Sequence, residues 1–198
     1  SDKDRMIHAM NRTRRKQSKY GPKSARGLWA YVKRLNEDRA KKISAAIVEF
    51  ASQHSVDTIV MEHLDFKGCK KRGSKAQRLS MWNHGIIREK VEQKAHLLGI
   101  RIATICAWKT SALAFDGSGS VTRDDNNHAL AKFTTGKQYN CDLSASYNIG
   151  ARYFIRELLK SLPATEESRV KAKVPDAGRR TSCTLSTLRM LVKELSAA

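Results

Sequence analysis

The stretch Val56-Asp-Thr-Ile-Val-Met61 runs directly into Glu62-His-Leu-Asp-Phe-Lys-Gly68. Its first six residues are short, apolar and β-branched, the composition of a buried strand, and the run ends on an acid. A basic loop follows, with Lys67, Lys70, Lys71, Arg72, Lys75 and Arg78 and no acid among them. Trp82, Ile86, Val91, Ala95 and Leu98 then recur at helical spacing, predicting a helix over about 79–98, and Gly99 stands where a helix C-cap belongs. Ile100 to Cys106 (IRIATIC) predicts a second strand. Strand, helix and strand in so short a span make a βαβ-like unit with the two strands as neighbours, parallel by the usual crossover rule.

Upstream, Leu28, Val32, Leu35, Ile43, Ile47 and Phe50 fall at steps of three and four, marking a long amphipathic helix over about 24–52. Its opposite face carries Lys33, Arg34, Lys41 and Lys42. Before it, Gly21-Pro22 breaks the chain, and Arg12, Arg14, Arg15, Lys16, Lys19 and Lys23 form a cluster with almost nothing apolar. Downstream, 109–137 is rich in Gly, Ser, Asp and Asn without a period and reads as a loop or small insertion. A third helix begins at Asp142 and continues to about Leu162, supported by Ala145, Ile149, Ala151, Phe154, Ile155, Leu158 and Leu159. The segment 163–180 reads as a charged, apolar-poor linker, and Leu188, Leu191 and Leu195 support a last short helix over 186–195.

The chain has 198 residues, with 38 Lys and Arg against 19 Asp and Glu, a net charge of +19. Hydrophobic residues make up 40%, enough for a core, which excludes wholesale disorder. A charge this large repels itself unless a polyanion neutralises it, so nucleic acid is the expected partner, ahead of an anionic membrane surface. No stretch reaches the roughly 18 uncharged apolar residues of a membrane span. Cys69, Cys106, Cys141 and Cys183 never form a C-x-x-C pair, and the reading they favour is free thiols in a reducing cytosol.

Two acids stand out. Glu62 sits at the C-terminal end of an apolar strand, the edge at which ligands bind in open α/β sheets. Asp142 stands at a helix entry, where an N-cap role or the helix dipole would also explain an acid. Carboxylates from distant segments beside a basic surface suit Mg²⁺ and phosphodiester hydrolysis with two ions about 3.5–4 Å apart. The six histidines show no metal-ligand spacing. Gly117-Ser118-Gly119 is too short to count as a phosphate loop. Tyr20, Trp29 and Trp82 offer rings on which bases could stack, although core packing is the commoner fate of both tryptophans.

The segments VMEHLDFKG (60–68), WKTS (108–111) and YNCDLSASYNIGARYF (139–154), in this order, resemble the RuvC-like nuclease domain of TnpB transposon proteins. Type V CRISPR effectors share that domain. The resemblance covers about 8–160 and is most specific around Asp142, Ala145, Asn148 and Ile149. It implies an α/β, RNase H-like (RuvC-like) fold, a mixed sheet flanked by helices. It further implies RNA-guided cutting of DNA with Mg²⁺ or Mn²⁺, partners DNA and a guide RNA, and a cytoplasmic, nucleoid-associated location with no membrane role. By motif match, Glu62 and Asp142 are the second and third catalytic, metal-binding carboxylates. The two lysine/arginine clusters above are the nucleic-acid-binding residues. The expected layout is a nuclease domain over 1–162, with a basic helical region over 1–54 and an insertion over 112–140, then a linker and helix over 163–198.

Two departures temper this. The first catalytic Asp has no counterpart, since Asp2 and Asp4 lie in a charged stretch that is not a strand. The first hairpin of the sheet is therefore expected to be missing, the chain to be the C-terminal portion of a longer protein, and the missing part to be one of its partners. The family's zinc ribbon also has no counterpart, because 112–140 holds no cysteine and Cys141 stands alone. No structural zinc is expected. Beside the nuclease stands the alternative of a catalytically inactive nucleic-acid-binding protein that keeps the scaffold.

Overall fold

A computed structural model describes residues 2–64, 83–179 and 181–197. The basic loop Lys67–Arg78 and Trp82 lie outside the described residues. The chain divides into two compact units, 1–59 with 66–102, and 60–65 with 103–198.

The first unit is helical. α1 (Asp2–Tyr20) and α2 (Arg26–Gln53) are joined by a turn in which Gly21 takes φ +86° before a short 3₁₀ segment at Pro22–Ala25. A left-handed residue and a proline end one helix and start the next. The cluster Arg12–Lys19 belongs to α1, within the basic helical region that the resemblance implies over 1–54. Its apolar period is weak because, among the described side chains, its buried face is Met6, Ala9 and Thr13. The deepest stripe of α2 is also not the large apolar one. Val32, Asn36, Ala40, Ser44, Val48 and Ala51 are buried, Leu35, Ile43 and Ile47 are half-buried, and Phe50 is exposed. Small residues let helices approach closely, and α2 packs against α1 and against α3 (His84–Leu97). Asn36 and Asn83 exchange buried hydrogen bonds of 2.6 Å across the α2–α3 contact, and Ser44 Oγ lies 2.7 Å from the Ala40 carbonyl and 3.2 Å from that of Ile87.

β1 (Thr58–His63) and β2 (Arg101–Cys106) are hydrogen-bonded neighbours in a two-stranded sheet. Gly99, at φ +70°, closes α3 and starts β2 as its position in the sequence predicts. Both strands extend into the second unit, where β2 leads to a turn with Lys109 at φ +58°.

The interval 112–140 is not a structureless loop. It folds as an antiparallel meander of β3 (Thr122–Arg123), β4 (Leu130–Lys132) and β5 (Gln138–Asn140). Ala114, Ala131, Phe133 and Cys141 form its core, with Phe115, Val121 and Tyr139 packed against them. Packed side chains order this segment. Strands of two and three residues are too short to show a period, which is why sequence reading passed over them.

α4 (Cys141–Ser161) follows at once. Ala145, Ala151, Ile155 and Leu159 face inward, while Phe154 points out. The segment after it is a correction: 163–180 is no linker. It holds α5 (Ala164–Lys173) and a 3₁₀ turn at Pro175–Gly178, and Val170, Val174 and Ala177 are buried. These join Ile155, Leu159, Cys183 and Leu191 in one core cluster. α6 (Leu185–Ser196) completes it, capped by a reciprocal Thr184–Thr187 pair, with Leu188 and Leu195 packed on the cluster. Among the described residues, Cys106, Cys141 and Cys183 are free thiols. No helix among them is long and apolar enough to cross a membrane.

Candidate active site and nucleic-acid interface

Glu62 lies within β1, one residue before its end, rather than after it. The strand leaves it half-buried, and Thr110 supplies its partner. Thr110 Oγ1 stands 2.5 Å from Glu62 Oε1 and 3.0 Å from the Ala107 carbonyl. A hydroxyl has a single proton, and the nearer, charged acceptor takes it. The turn that carries Thr110 is anchored in turn by Asn148 of α4. Asn148 is fully buried and donates from Nδ2 to the Thr110 carbonyl at 3.0 Å and to the Leu113 carbonyl at 2.9 Å. Its Oδ1 accepts the Leu185 N–H at 3.3 Å, so both faces of the amide are used.

Asp142 is exposed, in the first turn of α4. The N-cap is another residue: Asn140 Oδ1 accepts the Asp142 and Leu143 amides at 2.9 and 3.0 Å. The capping explanation for an acid at position 142 is thereby removed, leaving the helix dipole as the remaining structural one. Asn148 lies six residues further on, about 9 Å along the helix axis at 1.5 Å per residue.

Arg152, one turn beyond Asn148, is 5% exposed. Its guanidinium donates to four backbone carbonyls, of Cys106 and Trp108 at 2.8 Å, Thr181 at 2.9 Å and Cys183 at 3.2 Å. Burial lowers its proton affinity, and the thiols of Cys183 and Cys106 and the Glu62 carboxylate partly offset that. Arg156 adds a bond of 2.8 Å to the Thr104 carbonyl. Carbonyls two apart lie on one strand edge, so two arginines of α4 cover the same edge of β2. Sequence reading missed Thr110, Asn148 and Arg152 as site-building residues. All three fall within the motifs quoted above, and that was the signal available.

Magnesium is implied by the resemblance, and the residues can be tested against it. Carboxylate oxygens are the right donors for a hard cation. Among the described residues, however, no group of three His, Cys, Asp or Glu is placed to hold an ion. Two acids fall short of a two-ion cage, so the described residues do not by themselves fit one.

The basic residues divide unevenly. By sequence, the first unit carries 24 Lys and Arg against 8 Asp and Glu, a net +16, and the second carries 14 against 11, a net +3. Arg12, Arg15, Lys16 and Lys19 stand at i, i+3, i+4 and i+7 on one face of α1, and these four with Arg14 and Lys23 are all exposed. A shallow depression of about 230 Å³ is lined by His8, Asn11, Arg12 and Arg15. Tyr20 is exposed at the end of this helix, and Trp29 is half-buried.

No protein-family model matches the chain. No curated protein matches it either. Among solved structures, one described as a cryo-EM structure of a Cas12f1–sgRNA–target DNA complex matches with a TM-score of 0.55 and 22% sequence identity. The match covers 75% of this chain and 42% of that one, so the chain spans less than half the length of its structural neighbour. The fold is thus α/β, consistent with an RNase H-like domain, and shared with part of the Cas12f1 chain.

Proposed function

We propose that this chain is the C-terminal portion of a metal-dependent, RNA-guided DNA endonuclease of the TnpB type. In this reading it supplies two carboxylates, Glu62 and Asp142, to a Mg²⁺ or Mn²⁺ centre and a basic surface to nucleic acid. The observation that carries the reading is the fold shared with the Cas12f1 chain, whose structure contains a guide RNA and target DNA. The rigid seating of Glu62 and the release of Asp142 from capping support it. DNA and a guide RNA are the partners, and the missing N-terminal part carrying the first Asp is the third. The location in the cytoplasm near the nucleoid follows from those partners.

The second reading, a nucleic-acid binder that cannot cut, is favoured for the chain on its own by the shortage of metal ligands among the described residues. The two readings meet in one experiment. The chain, incubated with supercoiled plasmid and Mg²⁺ or Mn²⁺, is expected to bind without nicking. Cutting that Glu62→Gln abolishes would overturn the claim that the chain alone is inactive. Binding should be strongly salt-dependent. About six phosphate contacts from Arg12, Arg14, Arg15, Lys16, Lys19 and Lys23 give a log–log slope near −5 and roughly 10³-fold weaker binding at 200 mM than at 50 mM salt. Affinity that ignores salt would refute the role of these residues.

A further inference from the structure

A cleft of about 710 Å³ opens between β2, α4, α5 and the Pro175–Gly178 turn. Every residue around it belongs to the second unit. Its volume falls within the roughly 300–1,000 Å³ of small-molecule sites. Its floor is apolar, with Ile105 of β2 and Ile155 and Leu159 of α4. Its charged wall is one-sided: among the described residues, Arg152, Arg156, Lys160 and Lys171 face Glu167.

The acids nearby do not cancel this charge. Glu167 pairs with Lys171, and Glu157, outside the wall, lies 2.8 Å from Arg156 and 3.4 Å from Lys160. Two acids for four cations leave a surplus of two. Arg152 spends its donors on carbonyls, which satisfy hydrogen bonds without removing charge. Glu62 acts on it through charge from outside the wall, yet burial still lowers its proton affinity. Arg156 donates Nε to Glu157 and Nη1 to the Thr104 carbonyl, and among the described residues Nη2 takes no partner. An ammonium has three donors, and Lys160 and Lys171 each use one on an acid. Arg156 and Lys160 stand one turn apart on α4 and Lys171 comes from α5, so spare donors reach the cleft from two helices.

We propose that this cleft binds a phosphomonoester carried on an apolar or aromatic body, with the chemistry of a nucleoside monophosphate. Such a group carries about −1.5 to −2 charges at pH 7 and three acceptor oxygens, which matches both the surplus charge and the three side chains with donors to spare. A phosphodiester within a nucleic-acid chain has a single charge and matches them poorly. The apolar floor takes the base, and bare phosphate would leave it empty. The ligand is a free nucleotide or the phosphorylated end of a nucleic acid. Neither Glu62 nor Asp142 is needed for this binding, so it does not depend on the nuclease reading.

Cys106 reports on the cleft directly, since it is an exposed free thiol in the wall, whereas Cys141 and Cys183 are buried. The full chain is alkylated with N-ethylmaleimide in moderate salt, and the Cys106 peptide is followed by mass spectrometry. The probes are AMP, adenosine, inorganic phosphate, polyglutamate, and a short oligonucleotide with and without a 5′ phosphate. AMP should slow alkylation saturably, and adenosine and inorganic phosphate should need concentrations at least about tenfold higher. Arg156→Gln and Lys160→Gln should each raise the AMP midpoint about tenfold, and Arg12→Gln on α1 should leave it unchanged. Protection by the 5′-phosphorylated oligonucleotide as well as by AMP identifies the end of a nucleic acid as the source; protection by AMP and not by that oligonucleotide identifies the free nucleotide. Alkylation of Cys106 that millimolar AMP does not slow would overturn the proposal, as would inorganic phosphate acting as well as AMP. AMP protection that survives Arg156→Gln and Lys160→Gln together would do the same. Protection by polyglutamate and not by AMP would assign the cleft to an acidic protein segment instead.

Discussion

Replacing Arg152 by methionine keeps the length of the side chain and removes the guanidinium. The cost follows from what that group touches. Four carbonyls lose their donors, three of them in partly buried positions and one, that of Cys183, in a buried position. A hydrogen bond to a charged group contributes roughly 1.5–3 kcal/mol, and a partly exposed carbonyl recovers much of this from water. About 1 kcal/mol for each of the three and about 2 kcal/mol for the fourth gives a gross loss near 5 kcal/mol. Against this stands the relief of a buried charge, since burial lowers the proton affinity of Arg152 and its charge by itself opposes folding. The net expectation is a destabilisation of about 3 kcal/mol, a large share of the 5–15 kcal/mol typical of a domain.

Urea denaturation followed by far-ultraviolet circular dichroism measures this directly. Arg152→Lys keeps the charge but not the planar fork, so it should fall between wild type and Arg152→Met. Arg156→Gln supplies the control, because that side chain is 39% exposed, makes one backbone bond and pairs with Glu157 on the surface. Its cost should stay near 1 kcal/mol or below. An Arg152→Met protein within about 1 kcal/mol of wild type would show that water satisfies these carbonyls as well as the guanidinium does, and the clamp would lose its structural meaning.

Gly117 stands at φ +82°, and a Cβ there would meet Ser186 Cβ and Oγ at 2.9 Å, so Gly117→Ala should lower stability by about 1–3 kcal/mol, read as a fall in the melting temperature. Leu191 is fully buried in the cluster of α4, α5 and α6, and Leu191→Ala should cost about 2–5 kcal/mol in the same assay.

The long helices and the two strands of the first sheet were legible because their apolar positions repeat: Val32, Val91, Ile155 and Leu191 are all buried where the period places them. Three features were not legible, each for a physical reason. α1 buries alanine, threonine and one methionine against its neighbour, and none of these announces a face among so many charges. The meander of 112–140 is held by Phe133, Phe115 and Tyr139 meeting across strands of two or three residues, contacts that leave no repeat along the chain. In α5 and the 3₁₀ turn after it, three apolar residues, Val170, Val174 and Ala177, do the packing. For the site, the two acids were visible as chemical outliers, an acid ending an apolar strand and an acid entering a helix. Thr110, Asn148 and Arg152 are ordinary residue types, and what marks them is the identity of their partners 29–48 residues away.

Charge and geometry are divided between the two units, and the division bears on how such a chain could work. Attraction of a polyanion needs many exposed cations, and the first unit has them, exposed on a helical face. Holding a carboxylate for chemistry needs the opposite: a nearly balanced local charge, so that the acid is not neutralised by a neighbour, and buried neutral donors that fix its direction. The second unit carries a net +3 over 102 residues, and Glu62 is bonded there to a hydroxyl, with the buried Arg152 acting on it through charge. Phosphate contacts made by α1 should be removable by Arg12→Gln and Lys16→Gln, each lowering the log–log salt slope of nucleic-acid binding by about 0.9.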